Sequence, residues 1–335
     1  MSVDKNNVQC ISFFRKAHPV HEVWMKSVSS RKILPYVPDR FLSKNGIGIK
    51  RFPALAQIVS IVYGLFIPSA KEYIIEAPAT AACLFLKRGR VISINSDTFF
   101  YNMKNSSWLV KFYSKLLLKR ISGFISTSEM MKNQATKISK VVYPFMENKE
   151  LFKINPRFEN NNVCNVAGIR YTKGTDILID VFKKYKKKHK DAQLFAPGWE
   201  GGDAKTRWIE KIREAGGIAP GFVPAVSFYK KCSVYINPAR YEPFGVNVIE
   251  AMAAGIPPLV SEYCGAAEIV KKVDKRLIIS LNPEEIVKKI EWLKENRKRY
   301  YELSRKCRLE VKKHSEKNSI KDFKIKIAEL RDKIK

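Results

Sequence analysis

Short apolar runs alternate with helix-length patterns along the whole chain. VQCISFF (Val8 to Phe14), EYIIEAP (Glu72 to Pro78), RVISIN (Arg90 to Asn95) and SGFISTS (Ser122 to Ser128) open this grammar. The later residues repeat it with VCNVAGI, AQLFAPG, SVYINP, PPLVS and LIIS, again with helical patterns between them. Strands separated by helices predict parallel sheets covered on both faces, a doubly wound α/β class. The 335 residues are long for one domain and natural for two. The polar linker INPRFENNN, Ile154 to Asn162, carries the Pro and Asn punctuation of a boundary. Domains at 1–155 and 156–315 are expected, with the C-terminal helix 316–335 rejoining the first.

Within the second half, RYEPFGVNVIEAMAAGIP (Arg240 to Pro257) follows a strand that should end before Pro238. Beyond Gly245 the run VNVIEAMAA is apolar on nearly all sides and stops at Gly255, ahead of two prolines, as a short buried helix does. The first amides of that helix, at Gly245, Val246 and Asn247, lack intrahelical partners and suit an anion. Glu242 stands at the mouth of the turn. Glu250 lies inside the helix, between Ile249 and Ala251, where a carboxylate needs polar partners.

This string closely resembles the E-x7-E signature of the retaining nucleotide-sugar glycosyltransferases of the two-domain GT-B architecture, family 4 in particular. Glu242, Phe244, Gly245, Glu250, Ala251, Met252, Ala253, Gly255 and Pro257 all match. AGIRYTKGTDILIDVF (Ala167 to Phe182) is similar to the family's stretch after the first donor-domain strand, through Gly168, Arg170, Lys173 and Gly174. Here only Tyr171 and Thr172 separate the arginine from the lysine, where relatives usually have four residues. APGWEGG (Ala196 to Gly202) resembles the glycine loop near the nucleotide, and Gly221, Phe222 and Val223 fall where the base lies. SEYCGAAEIV (Ser261 to Val270) matches a later Gly-x-x-Glu pattern through Gly265 and Glu268.

The resemblance implies two doubly wound Rossmann-like domains facing across a cleft, and a retaining, metal-independent transfer of a sugar from a nucleoside diphosphate sugar to an acceptor hydroxyl. It places Arg170 and Lys173 on the donor diphosphate, Glu242 on the sugar, and Glu250 on the ribose. Phe244, Gly245, Val246, Asn247, Gly168, Phe222 and Val223 complete the donor-binding set. In the first half, Asp97 lies near a strand end where relatives carry a catalytic histidine or aspartate. His18 and His21 fall in FFRKAHPVHEV, which stands where the family often has a glycine-rich loop; Asp97 and His18 join the catalytic candidates. No cofactor beyond the donor is expected, and no Asp-x-Asp metal motif stands out. The acceptor is expected to be a lipid-linked sugar, a glycan or a protein.

Charge is the feature most open to misreading. The chain carries 62 Lys+Arg against 32 Asp+Glu, a net +30. The excess divides equally between residues 1–160 and 161–335. A nucleic-acid binder usually concentrates its charge on an arm or stripe, so nucleic acid is disfavoured as a partner. An anionic membrane surface is the better candidate, and a non-enzymatic binding protein acting there or on nucleic acid is the alternative to an enzyme. WLVKFYSKLLLKR (Trp108 to Arg120) fits that surface as a basic amphipathic helix, or else packs against the first sheet as an ordinary one. Six scattered cysteines form no Cys-x-x-Cys pair, and no signal-peptide core opens the sequence, so a reducing cytoplasm or the inner face of its membrane is expected. FPALAQIVSIVYGLFIP (Phe52 to Pro68), broken by Gln57 and Gly64, is expected to be a buried helix rather than a membrane span.

Overall fold

The computed structural model describes residues 4–13, 17–36, 53–201 and 206–334. Phe14, Phe52 and Gly202, each part of a stretch singled out above, lie outside the described residues. The chain divides into two compact units, one of residues 1–144 with 317–335 and one of residues 145–316. Ile154–Asn162, the expected boundary, lies within the second of these units.

The first unit is built on β1 (Val8–Ser12), β2 (Leu34–Pro35), β3 (Glu72–Ile75), β4 (Arg90–Asn95), β5 (Gly123–Ser126) and β6 (Ser139–Val141). They form one sheet in the order β2-β1-β3-β4-β5-β6, every pairing parallel. The central strands are buried throughout, so they read as continuous apolar runs. Gln9, Ser12 and Ser126 are buried polar residues in these strands and Glu72 is the charged one: its carboxylate is fully buried and receives the Arg331 guanidinium at 2.6 and 3.0 Å, with Arg90 at 3.5 Å. Arg331 comes from the helix Glu316–Lys333, whose Phe323 stacks on Trp24 at 5.2 Å while Ser319 accepts from the Trp24 indole at 3.0 Å. Those contacts hold the last helix on this unit.

In the second unit β7 (Val163–Cys164), β8 (Leu194–Phe195), β9 (Val234–Asn237), β10 (Pro258–Ser261) and β11 (Ile278–Ile279) run in the order β11-β10-β9-β7-β8, again all parallel. β7 is shorter than the run VCNVAGI: beyond it the chain leaves the ladder, and Ile169 bridges to Glu200 with its amide donating to the Trp199 carbonyl at 2.9 Å.

Three readings of the sequence are corrected: NPEEIVKKIEWLKENRKRYYELS as one helical pattern, Asn282 and Glu285 as the ends of a capping box at its start, and FPALAQIVSIVYGLFIP as a buried helix. NPEEIVKKIEWLKENRKRYYELS is two helices, Pro283–Lys294 and Arg297–Lys312, because the Asn296 side chain accepts from the Arg299 amide at 2.8 Å and starts the second. Asn282 does cap the first, but Glu285 does not close a capping box. The Asn282 side chain does accept from the Glu285 amide at 3.2 Å, but the return bond is missing: the Ser280 hydroxyl stands between, donating to the Glu285 carboxylate at 2.5 Å and accepting from the Asn282 amide at 3.2 Å. The helix Pro53–Leu65 is not buried all round: Ser60, Gly64 and, beyond the helix, Ile67 face inward, while Ile58, Val62 and Leu65 are exposed. Among the described residues no helix is long and apolar enough to cross a membrane. All six cysteines are buried and free.

Candidate active site

In the second unit two loops at the carboxyl ends of β7 and β9 are sewn together. Arg240 and Tyr241 donate their amides to the Thr172 carbonyl at 2.9 and 3.1 Å. The Arg240 guanidinium makes a bidentate pair with Asp176, both contacts at 2.6 Å, and lies over the Tyr171 ring at 3.9 Å. Neither Arg240 nor Asp176 was singled out from the sequence; the signal lay in their flanking positions beside two motif loops. Through this seam Lys173, only 8% exposed, sets its ammonium 2.6 Å from the Glu242 carboxylate. Two residues marked separately in the sequence, in motifs 69 positions apart, are thus one ion pair.

Glu242 is fixed through its backbone to the loop after β10, its amide donating to Tyr263 at 3.0 Å and its carbonyl accepting from Gly265 at 2.9 Å. Gly245 caps the helix Val246–Ala253 with a left-handed φ of 90°, and a Cβ there would meet the Cys264 sulfur at 3.0 Å and the Glu242 Cγ at 3.2 Å. Phe244 is buried beneath the turn, and the Asn247 side-chain amide donates to the Val166 carbonyl. Glu250 finds the partner its apolar helix demanded: the Tyr229 hydroxyl donates to it at 3.0 Å. Burial pushes the Glu250 carboxyl above its ordinary range, against the Tyr229 hydrogen bond, with Glu147 adding to the rise.

Arg170 holds a different place from Lys173. Its amide donates to the Thr175 hydroxyl at 2.8 Å, and its guanidinium lies over Gly168, 3.7 Å from where a Cβ would stand. The buried Nε has no hydrogen-bond partner among the described residues. Gly198 passes so close to Ala167 that a Cβ would lie 1.9 Å from its carbonyl oxygen, and the Gly198 amide donates to Gly221 at 2.8 Å. That contact brings the Gly168, Gly198 and Gly221 loops together, with Phe222 85% exposed and Val223 half-buried beside it.

The first unit carries a separate polar cluster at the carboxyl ends of β1, β3 and β4. Its centre is Glu76, which sequence reasoning passed over as the end of an apolar strand. The buried carboxylate accepts from the amides of Phe13 and His18, both at 2.7 Å, and meets His21 Nδ1 at 2.9 Å. Burial works to raise the Glu76 carboxyl, but His21 and the two amides outweigh it and hold it below the ordinary value. The His18 ring lies 5.0 Å from that of His21. Although part of it reaches solvent, desolvation and the His21 charge hold the His18 imidazole well below its usual range against the pull of Glu76, so it is neutral at physiological pH.

Asp97 follows β4, half-buried, with its Oδ1 accepting from the Phe99 amide at 3.0 Å. Burial pushes its carboxyl up to about 6, against the Phe99 amide and His21, and Glu76 adds to the rise. The native state therefore holds this proton more tightly than the unfolded chain between about pH 4 and pH 6, so the contribution favours folding below that window and is lost as pH rises through it. Asp97→Asn, which keeps the acceptor for Phe99, is expected to be more stable than the parent at neutral pH by about 1–2 kcal/mol, with the difference closing at about pH 4. Urea unfolding at the two pH values checks this; a gain that persists in acid would assign the effect to something other than the ionised carboxylate.

Residues 147–314 match the family described as Glycosyl transferases group 1. Among curated proteins the chain is 34% identical over 130 residues to an uncharacterized glycosyltransferase of Methanocaldococcus jannaschii, covering 36% of this chain and 32% of that protein. It is 30% identical over 123 residues to mannosylfructose-phosphate synthase of Agrobacterium fabrum, covering 32% and 27%. The matches thus span about a third of these relatives' own lengths. Among solved structures, Anabaena HepE in complex with UDP-glucose superimposes with a TM-score of 0.73 at 14% identity, covering 96% of this chain and 99% of that one. Sucrose-phosphate synthase from Thermosynechococcus elongatus does so with a TM-score of 0.63 at 15% identity, covering 91% and 82%. The likeness to these structures gives the GT-B fold, two Rossmann-like domains.

Proposed function

The chain belongs to the Glycosyl transferases group 1 family, and on that premise we propose that it transfers a sugar from a nucleoside diphosphate sugar to an acceptor hydroxyl, with retention at the anomeric carbon and without a metal ion. The observation that carries the reading is the Lys173–Glu242 pair at 2.6 Å, set beside the glycine turn that opens the helix Val246–Ala253. In this reading the second unit takes the donor. The ammonium of Lys173, the guanidinium of Arg170 and the free amides at Gly245, Val246 and Asn247 offset the charge that builds on the departing diphosphate. Glu242 holds sugar hydroxyls and supports the positive charge developing at the anomeric carbon. Glu250, already a hydrogen-bond acceptor toward Tyr229, accepts from the ribose hydroxyls. Phe222 and Val223, with Gly168 across the loop contact, receive the base.

The first unit takes the acceptor, a lipid-linked sugar, a glycan or a protein hydroxyl. Its polar cluster supplies the groups closest to substrate: neutral His18 donates or accepts a hydrogen bond, Glu76 orients the His21 ring, and Asp97 stands ready to accept near neutral pH. The departing diphosphate takes the acceptor proton on the same face, so no carboxylate of the protein has to act as nucleophile.

UDP-glucose is the first donor to examine, since a structural neighbour carries it. A nucleoside diphosphate at about a hundredfold excess over its Kd, with chelator present, is expected to stabilise the fold by about 2.7 kcal/mol and raise the melting temperature accordingly. Absence of any shift with UDP, GDP and ADP alike would remove the donor-site assignment.

A further inference from the structure

In the first unit the helix Trp108–Arg120 buries Ser114, Leu117 and Leu118 and turns the opposite side outward, with Trp108 72%, Leu109 59% and Phe112 58% exposed. The helix Pro53–Leu65 does the same with Ile58, Val62 and Leu65, and Phe66, the next residue, is 78% exposed. Both helices rest on the buried segment Pro78–Leu84. Gly64 approaches it so closely that a Cβ would lie 2.2 Å from the Cys83 carbonyl oxygen, and Leu117 and Leu118 join Cys83 and Leu84 in one core cluster. The Tyr36 hydroxyl meets Ser60 at 2.7 Å, and Tyr63 and Tyr113, one from each helix, pack on that same cluster. Single exposed apolar residues are ordinary, but two stripes of them on helices that rest on one buried segment mark a surface that something covers.

The charge around the stripes names the occupant. From Ala77 to Ser128 the only acidic residue is Asp97, and Lys111, Lys115 and Lys119 are exposed along the same helix as Trp108 and Phe112. Aromatic side chains ringed by lysines match the boundary between headgroup phosphates and acyl chains. We infer that this face of the first unit docks on an anionic lipid bilayer, the aromatic and aliphatic side chains of the two stripes entering the boundary and the three lysines pairing with lipid phosphates. A second copy of the chain fits less well, since two such faces would bring lysine against lysine.

Flotation of the full chain with phosphatidylglycerol-containing and with pure phosphatidylcholine vesicles tests this without any sugar donor, so its failure leaves the transferase reading standing. Binding is expected to the anionic vesicles only, weakening as salt rises. Trp108→Ala with Phe112→Ala should weaken it roughly tenfold, and Lys111→Gln, Lys115→Gln and Lys119→Gln together on the order of a hundredfold, with melting temperatures unchanged because these side chains face solvent. Equal affinity of the aromatic double variant would overturn the docking geometry. Absence of flotation with both vesicles would overturn the proposal outright, as would binding of a DNA oligonucleotide that survives the aromatic changes while vesicles are ignored.

Discussion

Glu242→Gln is expected to lower turnover by about thirtyfold or more, a loss of roughly 2–4 kcal/mol of transition-state stabilisation, while leaving the fold intact. Glutamine keeps an oxygen that can accept from Lys173, so the contact now at 2.6 Å survives as a neutral hydrogen bond. On the proposed reading, what disappears is the negative charge that Glu242 turns to the anomeric carbon, where positive charge appears only as the sugar leaves. The loss should therefore fall on kcat rather than on donor affinity. Glu250→Gln makes the internal comparison: its carboxylate lies on the Tyr229 side of the helix, and its loss should raise KM for the donor more than it lowers kcat. The measurement is steady-state release of nucleoside diphosphate from whichever donor the melting experiment selects. Unaltered turnover in a folded Glu242→Gln protein would make the motif structural.

The strand, glycine turn and helix around Glu242 could be read from residues alone because each signal is local: Pro238 stops the strand, Gly245 supplies the left-handed turn, and Gly255 with the prolines behind it ends the helix. The Lys173–Glu242 pair was not legible in the same way. Its members are 69 positions apart, and they meet because Arg240 and Tyr241 hydrogen-bond to Thr172, a contact no pattern along one strand or helix encodes. Glu76 was missed for a related reason. At the end of EYIIEAP it looks like the polar edge of a buried run, and only the parallel pairing of β1 with β3 brings the amides of Phe13 and His18 to its carboxylate.

Helix periodicity left a different ambiguity. Trp108, Phe112 and Leu116 have the spacing of a face that packs on a core, yet Ser114, Leu117 and Leu118 are the side chains that are buried. A helix with two apolar stripes gives no sign in its sequence of which stripe the core will take, since both have the same period. The break at Asn296 was hidden too, because asparagine inside a charged helical pattern differs little from its neighbours until its side chain bonds the Arg299 amide.

Gly174→Ala is expected to destabilise the protein by about 2–5 kcal/mol and to remove most transferase activity in whatever fraction remains folded. Gly174 adopts a φ of 70° between the short turn Tyr171–Lys173 and the helix Thr175–Lys188, so alanine carries a conformational penalty of about 1–2 kcal/mol there. The larger part is steric. An added Cβ would stand 2.0 Å from the Pro238 carbonyl oxygen and 2.8 Å from its carbon, and these are backbone atoms at the end of β9 that no side-chain rotation can clear. Relief requires the two loops to part, which breaks the hydrogen bonds from Arg240 and Tyr241 to Thr172 and carries Lys173 away from Glu242. Gly221→Ala separates the two effects: its φ of 85° imposes a similar conformational penalty, but a Cβ there meets nothing within 4 Å. That variant should lose only about 1 kcal/mol in urea unfolding. Equal losses in the two proteins would mean that the close approach of Gly174 to Pro238 does not hold Lys173 against Glu242.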